Sequence, residues 1–272
     1  MAWLRAAITY GLFPTVFFSA LALAFWMLGE GVQHSYILSA TVLPAVVIVF
    51  AGEKLHPEHD VWNASQSDVV TDAVHNLVSQ MLLPEFLKVF LLGAMLALAQ
   101  HVSAWYGGTL WPASLPLPIQ LVFAMLFSQF WEYWAHRLAH TWPPLWRLHA
   151  THHSPGRLYF FNAGRFHPLD TAIAYIVTTV PLVLMGAPDD IVLLYTVWAG
   201  VHGIFQHCNI RLRLGPLNYV FSMAELHRWH HSRVLEEANS NYGNNIIFWD
   251  LVFGTYFLPK DREAPVDVGL SD

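Results

Sequence analysis

Pro116-Leu-Pro-Ile-Gln-Leu-Val-Phe-Ala-Met-Leu-Phe-Ser-Gln-Phe-Trp131 runs without a charge into Glu132-Tyr-Trp-Ala-His136-Arg-Leu-Ala-His140. The first part has the length and apolarity of a bilayer-crossing helix, relieved only by Gln120, Ser128 and Gln129. The second part continues that helix out of the membrane and places His136 and His140 one turn apart on one face. Glu132 lies one turn earlier on the same face. One stretch therefore joins a membrane span to a pair of imidazoles, which are favoured ligands of iron, zinc, copper and nickel.

Working outward, ten of the 16 histidines fall in a few tight groups. His149, His152 and His153 follow at i, i+3 and i+4, and His227, His230 and His231 repeat that spacing. On a helix each triplet converges on one edge. His202 and His207 are five apart, which a regular helix separates by about 140° in projection. Either one of them stands outside a ligand set, or a π-turn widens the helix there. One tetrahedral metal needs about four ligands, so this set is large enough for two. A pH-sensing histidine surface is the competing reading, but several protonated imidazoles on one face would repel. Glu132 is read as an acceptor that orients an imidazole, in preference to a ligand or a surface charge. Asp250 has the same choice between supporting a ligand histidine and capping the surface. His167, before Pro168, is a secondary candidate, while His34, His56, His59, His75 and His101 lack partners at useful spacing.

The rest of the chain is equally apolar. Of 272 residues, 55% are hydrophobic and 12% charged, about half the charged share of a soluble domain. Ala6–Leu28 and Ser35–Gly52 contain no charge. The Ala20-Leu-Ala22 site resembles a signal cleavage point, yet the apolar run continues to Leu28, so a retained anchor is expected. Net charge is -6 with no basic tract, which leaves nucleic-acid binding without support. The single cysteine, Cys208, excludes an internal disulfide and reads as a buried inert thiol.

These features predict an all-α integral membrane bundle of about four spans plus a helical hairpin, with a cytoplasmic histidine-rich cap. The spans are expected at about 6–28, 35–52, within 74–100 and at about 115–135. In the third, Glu85 and Lys88 can pair on one face, and Pro84 is a candidate kink. Asp170–Gly186 and Asp190–Gln206 read as a partly inserted hairpin around Gly186-Ala-Pro-Asp-Asp190. Residues 29–34 and 101–114 lack Lys and Arg, whereas Arg5, Lys54, Arg137, Arg147, Arg157 and Arg165 lie on the other side. Positive charge marks the cytoplasmic face, so both termini and the histidines are expected there. The whole chain, 1–272, reads as one domain, with N-terminal spans over 1–115 and the histidine region over 120–257. The tail Asn239-Ser-Asn-Tyr-Gly-Asn-Asn245 is a strong turn signal.

His136-xxx-His140, His149-xx-His152-His153 and His227-xx-His230-His231 resemble the histidine boxes of the fatty acid hydroxylase superfamily, also called the sterol desaturase family. Arg165-Phe-His-Pro168, Leu214-Gly-Pro-Leu217, His227-Arg-Trp-His-His-Ser232 and Asn241-Tyr-Gly-Asn-Asn245 through Trp249-Asp250 look like its bacterial members. The resemblance covers about residues 120–257. It implies a centre of two iron ions, O2 as co-substrate, and hydroxylation or desaturation of a lipid such as a sterol or fatty acyl chain. It implies electrons from an external donor (a ferredoxin, cytochrome or reductase) and a place in a bacterial inner membrane. Its implied ligands are His136, His140, His149, His152, His153, His207, His227, His230 and His231. His202 joins them, although its spacing to His207 departs from some members.

Other classes fit less well. A membrane metal transporter or storage protein would need ligands along the membrane path, whereas these histidines gather after the fourth span. A zinc hydrolase would need His-Glu-x-x-His, which does not occur. A bis-histidine haem protein would leave most of the imidazoles unexplained.

Overall fold

Apolar stretches too long to fold back on themselves become helices, because only a helix satisfies its own backbone inside a bilayer. The computed structural model describes residues 2–270, and Met1, Ser271 and Asp272 lie outside the described residues. Along the chain come α1 (Ala2–Gly29), α2 (His34–Leu55), α3 (Val69–His75), a π-helical stretch Asn76–Leu82, and α4 (Leu83–Tyr106). Then follow α5 (Leu117–Thr141), α6 (Pro143–His153), α7 (Pro168–Met185) and α8 (Asp189–Gln206). Three short helices, α9 (Ala224–His230), α10 (Leu235–Ala238) and α11 (Phe248–Phe253), complete the C-terminal cap. Among the described residues only isolated β-bridges occur.

α1, α2 and α7 are each long and apolar enough to cross a membrane, and the bent pair Val69–Leu91 and Gly93–Tyr106 adds a fourth. The bend of 51° falls between Leu91 and Gly93, not at Pro84. Pro84 instead lies just after the π-helical stretch, inside the helical run Val69–Leu91, which continues through it. Lys88 Nζ lies 3.9 Å from Glu85 Oε2 on the exposed face of α4. α5 is long enough to span, at about 37 Å for its 25 residues. Its apolarity is diluted because it buries Gln120, Ser128 and Gln129 against the protein.

The α7–α8 hairpin closes at Gly186, whose φ of 84° suits glycine. α8 is the central helix: it packs on α1, α2 and α5 and buries Leu194, Val197, Trp198, Val201 and Phe205. His34 Nε2 lies 3.0 Å from Asp190 Oδ1 and ties the start of α2 to the start of α8, at the end away from the histidines. At the histidine end, buried Glu53 closes α2 by accepting the N–H groups of Phe160 (2.8 Å) and Asn209 (2.9 Å). This fastens the loop after α6 to the chain leaving α8. The α3–π segment clamps the same loop: Asn76 Nδ2 donates to Phe161 O at 2.7 Å, and Ser79 Oγ to Phe166 O at 2.8 Å.

Candidate metal centre

The last turns of α5 carry His136 and His140 to the end of the bundle. Extended Trp142 and Pro143-Pro144 then start α6, which brings back His149, His152 and His153. α8 ends at Gln206, so His207 is its C-cap (φ -92°, ψ -4°). Helix termination, not a π-turn, sets His207 apart from His202; the π-turns lie at Asn76–Leu82 instead. α9 supplies His227 and His230, and His231 caps it.

These imidazoles form two groups. His136, His140, His149, His153 and His230 make the first, and His152, His207, His227 and His231 the second; within each, the candidate donor atoms lie within 4.8 Å of one another. The groups adjoin, since His153 stacks on His231 with ring centroids 4.2 Å apart. The second group is wholly buried, whereas His136 and His140 of the first are half-buried. The more open side therefore belongs to the first group.

Hydrogen bonding around the rings tests whether a cation fits. His136 Nδ1 donates to Tyr242 O at 2.6 Å, and His230 Nδ1 to Ser240 O at 2.7 Å. His149 Nδ1 donates to Asp170 Oδ2 at 2.8 Å. With Nδ1 holding the proton, each neutral ring presents a bare lone pair at Nε2. Yet His136 Nε2 lies 3.0 Å from both His149 Nε2 and His230 Nε2. Lone pairs so close repel unless a positive ion lies among them. A shared proton is a poor substitute, because burial pushes His230 down to about 3.

In the second group one ring, that of His207, is fixed in the same way, while the buried Nδ1 atoms of His152, His227 and His231 have no hydrogen-bond partner among the described residues. Asn162 donates Nδ2 to Arg157 O at 2.7 Å, so its Oδ1 faces His207 Nδ1 at 2.9 Å and accepts that proton. His207 Nε2 then lies 2.9 Å from His227 Nε2 and 3.2 Å from His152 Nε2. Burial holds His207 down at about 3. Burial, then the neighbouring imidazoles, keep His152, His153, His227 and His231 well below the usual histidine value. Neutral, buried, convergent imidazoles are the donor set that a divalent transition metal requires.

The other predicted residues divide. His202 lies outside both groups. Its Nδ1 faces Asn245 Nδ2 at 3.1 Å, and its ring packs against Phe13 and Phe221. Glu132 touches no histidine; it accepts from Asn244 Nδ2 at 2.6 Å and from Gln129 Nε2. Asp250 is fully buried, which removes the surface-cap reading, and it acts one step from the ring of His136. Its carboxylate accepts the N–H groups of Tyr242 and Gly243, each at 2.7 Å, and the Thr255 hydroxyl at 2.7 Å. That fixes the peptide whose carbonyl holds His136. A Cβ at Gly243 would lie 2.2 Å from Ile246 O, so only glycine fits this turn. His167 serves as the N-cap of α7, receiving Leu169 N at 3.2 Å. Asp170 and Asn162 were not anticipated. Their one sequence signal is an acidic or amide side chain near the histidine boxes, which many helix starts and loops share.

Ligand histidines owe part of their affinity to the acceptor behind them. Asp170→Asn is expected to weaken metal binding about 10- to 100-fold, with the fold retained. Metal titration of stripped protein measures this, and unchanged affinity would remove Asp170 from the support of His149.

Residues 121–255 match the fatty acid hydroxylase family. Over 98% of its length the chain is 34% identical to ornithine lipid hydroxylase OlsE of Rhizobium tropici, covering 81% of that protein. It is 26% identical over 64% of its length to alkylglycerol monooxygenase of Caenorhabditis elegans, of which it covers 34%. Against methylsterol monooxygenase 2-2 of Arabidopsis thaliana it is 25% identical over 53% of its length and covers 56% of that protein. No solved structure matches.

Proposed function

Since the chain belongs to the fatty acid hydroxylase family, we propose that it is a membrane-bound non-haem di-iron oxygenase that hydroxylates a lipid with O2 and electrons from a separate donor. The observation that carries this is the pair of adjoining buried imidazole groups, each with donor atoms converging within 4.8 Å, and in the first the facing Nε2 lone pairs call for a cation. The first iron would be held by His136, His140, His149, His153 and His230, and the second by His152, His207, His227 and His231. Bound iron supplies O2 reduction and the oxidant for a C–H bond. One oxygen atom enters that bond and the other leaves as water, consuming two electrons and two protons.

The chain's own residues have three tasks. Tyr242 O, Ser240 O and Asp170 hold three ligand rings in one tautomer. Asp250 holds the Tyr242 peptide. The bundle delivers the lipid to the half-buried side at His136 and His140, so that positioning of one C–H bond supplies much of the rate. Glu132 sits a turn before His136 and acts by positioning Asn244, not as a ligand. His202 is left out of the ligand set because it faces neither group.

The relatives are a lipid hydroxylase and lipid monooxygenases, which favours oxygen insertion over desaturation. Similarity along nearly the whole chain makes ornithine lipid the first substrate to assay. We read residues 1–272 as one domain, because α8 of the histidine region packs on α1 and α2. We read its place as a bacterial inner membrane with the metal end cytoplasmic. Purified protein is expected to hold about two irons per chain, by ligand count, and to convert a lipid to a product heavier by one oxygen. Elemental analysis finding one zinc and no iron, or lipid profiles identical with and without the gene, would reject the proposal.

A further inference from the structure

α11 lies in the C-terminal cap, yet its surroundings are those of the spans. Phe248, Leu251 and Val252 on this six-residue helix are exposed. Asp250, on the opposite face, is fully buried. Trp249 donates Nε1 to Leu126 O at 3.1 Å, and its ring packs on Phe130 at 5.0 Å. Leu126 is only about 14 Å along α5 from the end away from the metals, roughly halfway through a hydrocarbon layer of about 30 Å.

A second marker gives the same depth. Ile247 N donates to Val220 O at 3.0 Å, so the segment before α9 lies beside α11. Phe221 packs on Phe13 and Phe17 of α1 at 5.3 and 5.2 Å. Phe17 is about 18 Å from the far end of α1. The exposed Val220 therefore stands level with the exposed Phe18 of α1, and α11 with the lipid-facing side of α5.

Most of the backbone of the loop before α11 finds partners within the protein, as backbone at that depth needs. Where no water is present, every N–H and C=O needs a protein partner. Asn241 Nδ2 serves Leu226 O and Phe257 O, Gln129 Oε1 takes Asn245 N, and Gln206 Nε2 reaches Asn244 O. Asp250 takes two further N–H groups. The asparagine-rich turn is thus sealed by side chains in place of water.

We propose that α11, with Val220 beside it, is embedded in the metal-side leaflet and contacts lipid acyl chains through Phe248, Leu251 and Val252. The apolar face continues the lipid-facing surfaces of α1 and α5. Its buried face holds, through Asp250, the peptide that orients His136, so the bilayer is in contact with the outer wall of the metal centre.

A spin label on Val252→Cys, in protein reconstituted into phosphatidylcholine bilayers, tests this; Cys208 is fully buried and does not compete. The label is expected to collide with dissolved O2 in preference to a water-soluble nickel chelate, like a label on Phe18→Cys. Behaviour like a label on exposed Glu236→Cys would overturn the proposal. So would a label shielded from both reagents, which would mark an interface between copies. Independently of any variant, phosphatidylcholine carrying a mid-chain photoreactive group is expected to give adducts within residues 248–253 of the unaltered protein. Labelling of α1 and α5 without these adducts would also overturn it.

Discussion

Protein carrying His230→Ala or His152→Ala is expected to lose one of the two metals proposed for it and at least about 100-fold in turnover, since even residues behind ligands cost 10- to 100-fold. The substitutions strike different groups: His230 belongs to the first and His152 to the second. His230 Nε2 faces His136 Nε2 at 3.0 Å, and His152 Nε2 faces His207 and His231 Nε2, each at 3.2 Å. Removing either ring leaves the remaining lone pairs converging on an incomplete shell. The bundle should survive, because the main core lies along α1, α2, α5 and α8. Metal content and turnover measured on the same membrane-inserted sample separate loss of the site from loss of the fold. Full activity with two metals in either variant would exclude that histidine as a ligand.

Acidification is the second large effect. His207 and His230 stay neutral in the folded chain down to about 3, and His152, His153, His227 and His231 are likewise held well below the ordinary value. In the unfolded chain each titrates near about 6.5. Below that pH the unfolded state binds more protons than the folded one, so stability falls as pH falls. It is complete above the free-histidine value and is lost progressively below it, by up to about 1.4 kcal/mol per pH unit for each such histidine. Metal-stripped protein in detergent is therefore expected to show a marked fall in Tm between pH 7.5 and pH 5.5. A Tm constant over that interval would mean that the rings are not buried and neutral together.

The residue spacing carried much of this arrangement. Imidazoles at i, i+3 and i+4 face one way on any helix, so α6 and α9 could be anticipated before their packing was known. The uncharged runs likewise announced α1 and α2, and Gly186-Ala-Pro marked the α7–α8 turn. Contacts between distant segments were not legible. His202 and His207 look equivalent in the chain, and only the end of α8 at Gln206 sends them to different places. Glu132 shares the helical face of His136, but Asn244, 112 residues away, claims its carboxylate. The run from Asn239 to Asn245 announced a turn, yet Asn241 and Asn245 are buried and Asn241 serves the carbonyls of Leu226 and Phe257, which follows from packing and not from composition. α11 was too short and too mixed to reveal itself as a lipid contact.

Two of the four ring-fixing acceptors, Tyr242 O and Ser240 O, are main-chain atoms. A carbonyl persists whatever side chain its residue bears, so drift at these positions cannot simply delete the acceptor. It can act only by moving the chain, and buried Gly243 and Asp250 oppose that movement. The other two, Asp170 and Asn162, are side chains that a single codon change can erase. The centre's vulnerability to mutation is thus concentrated away from the residues that flank its most heavily used backbone.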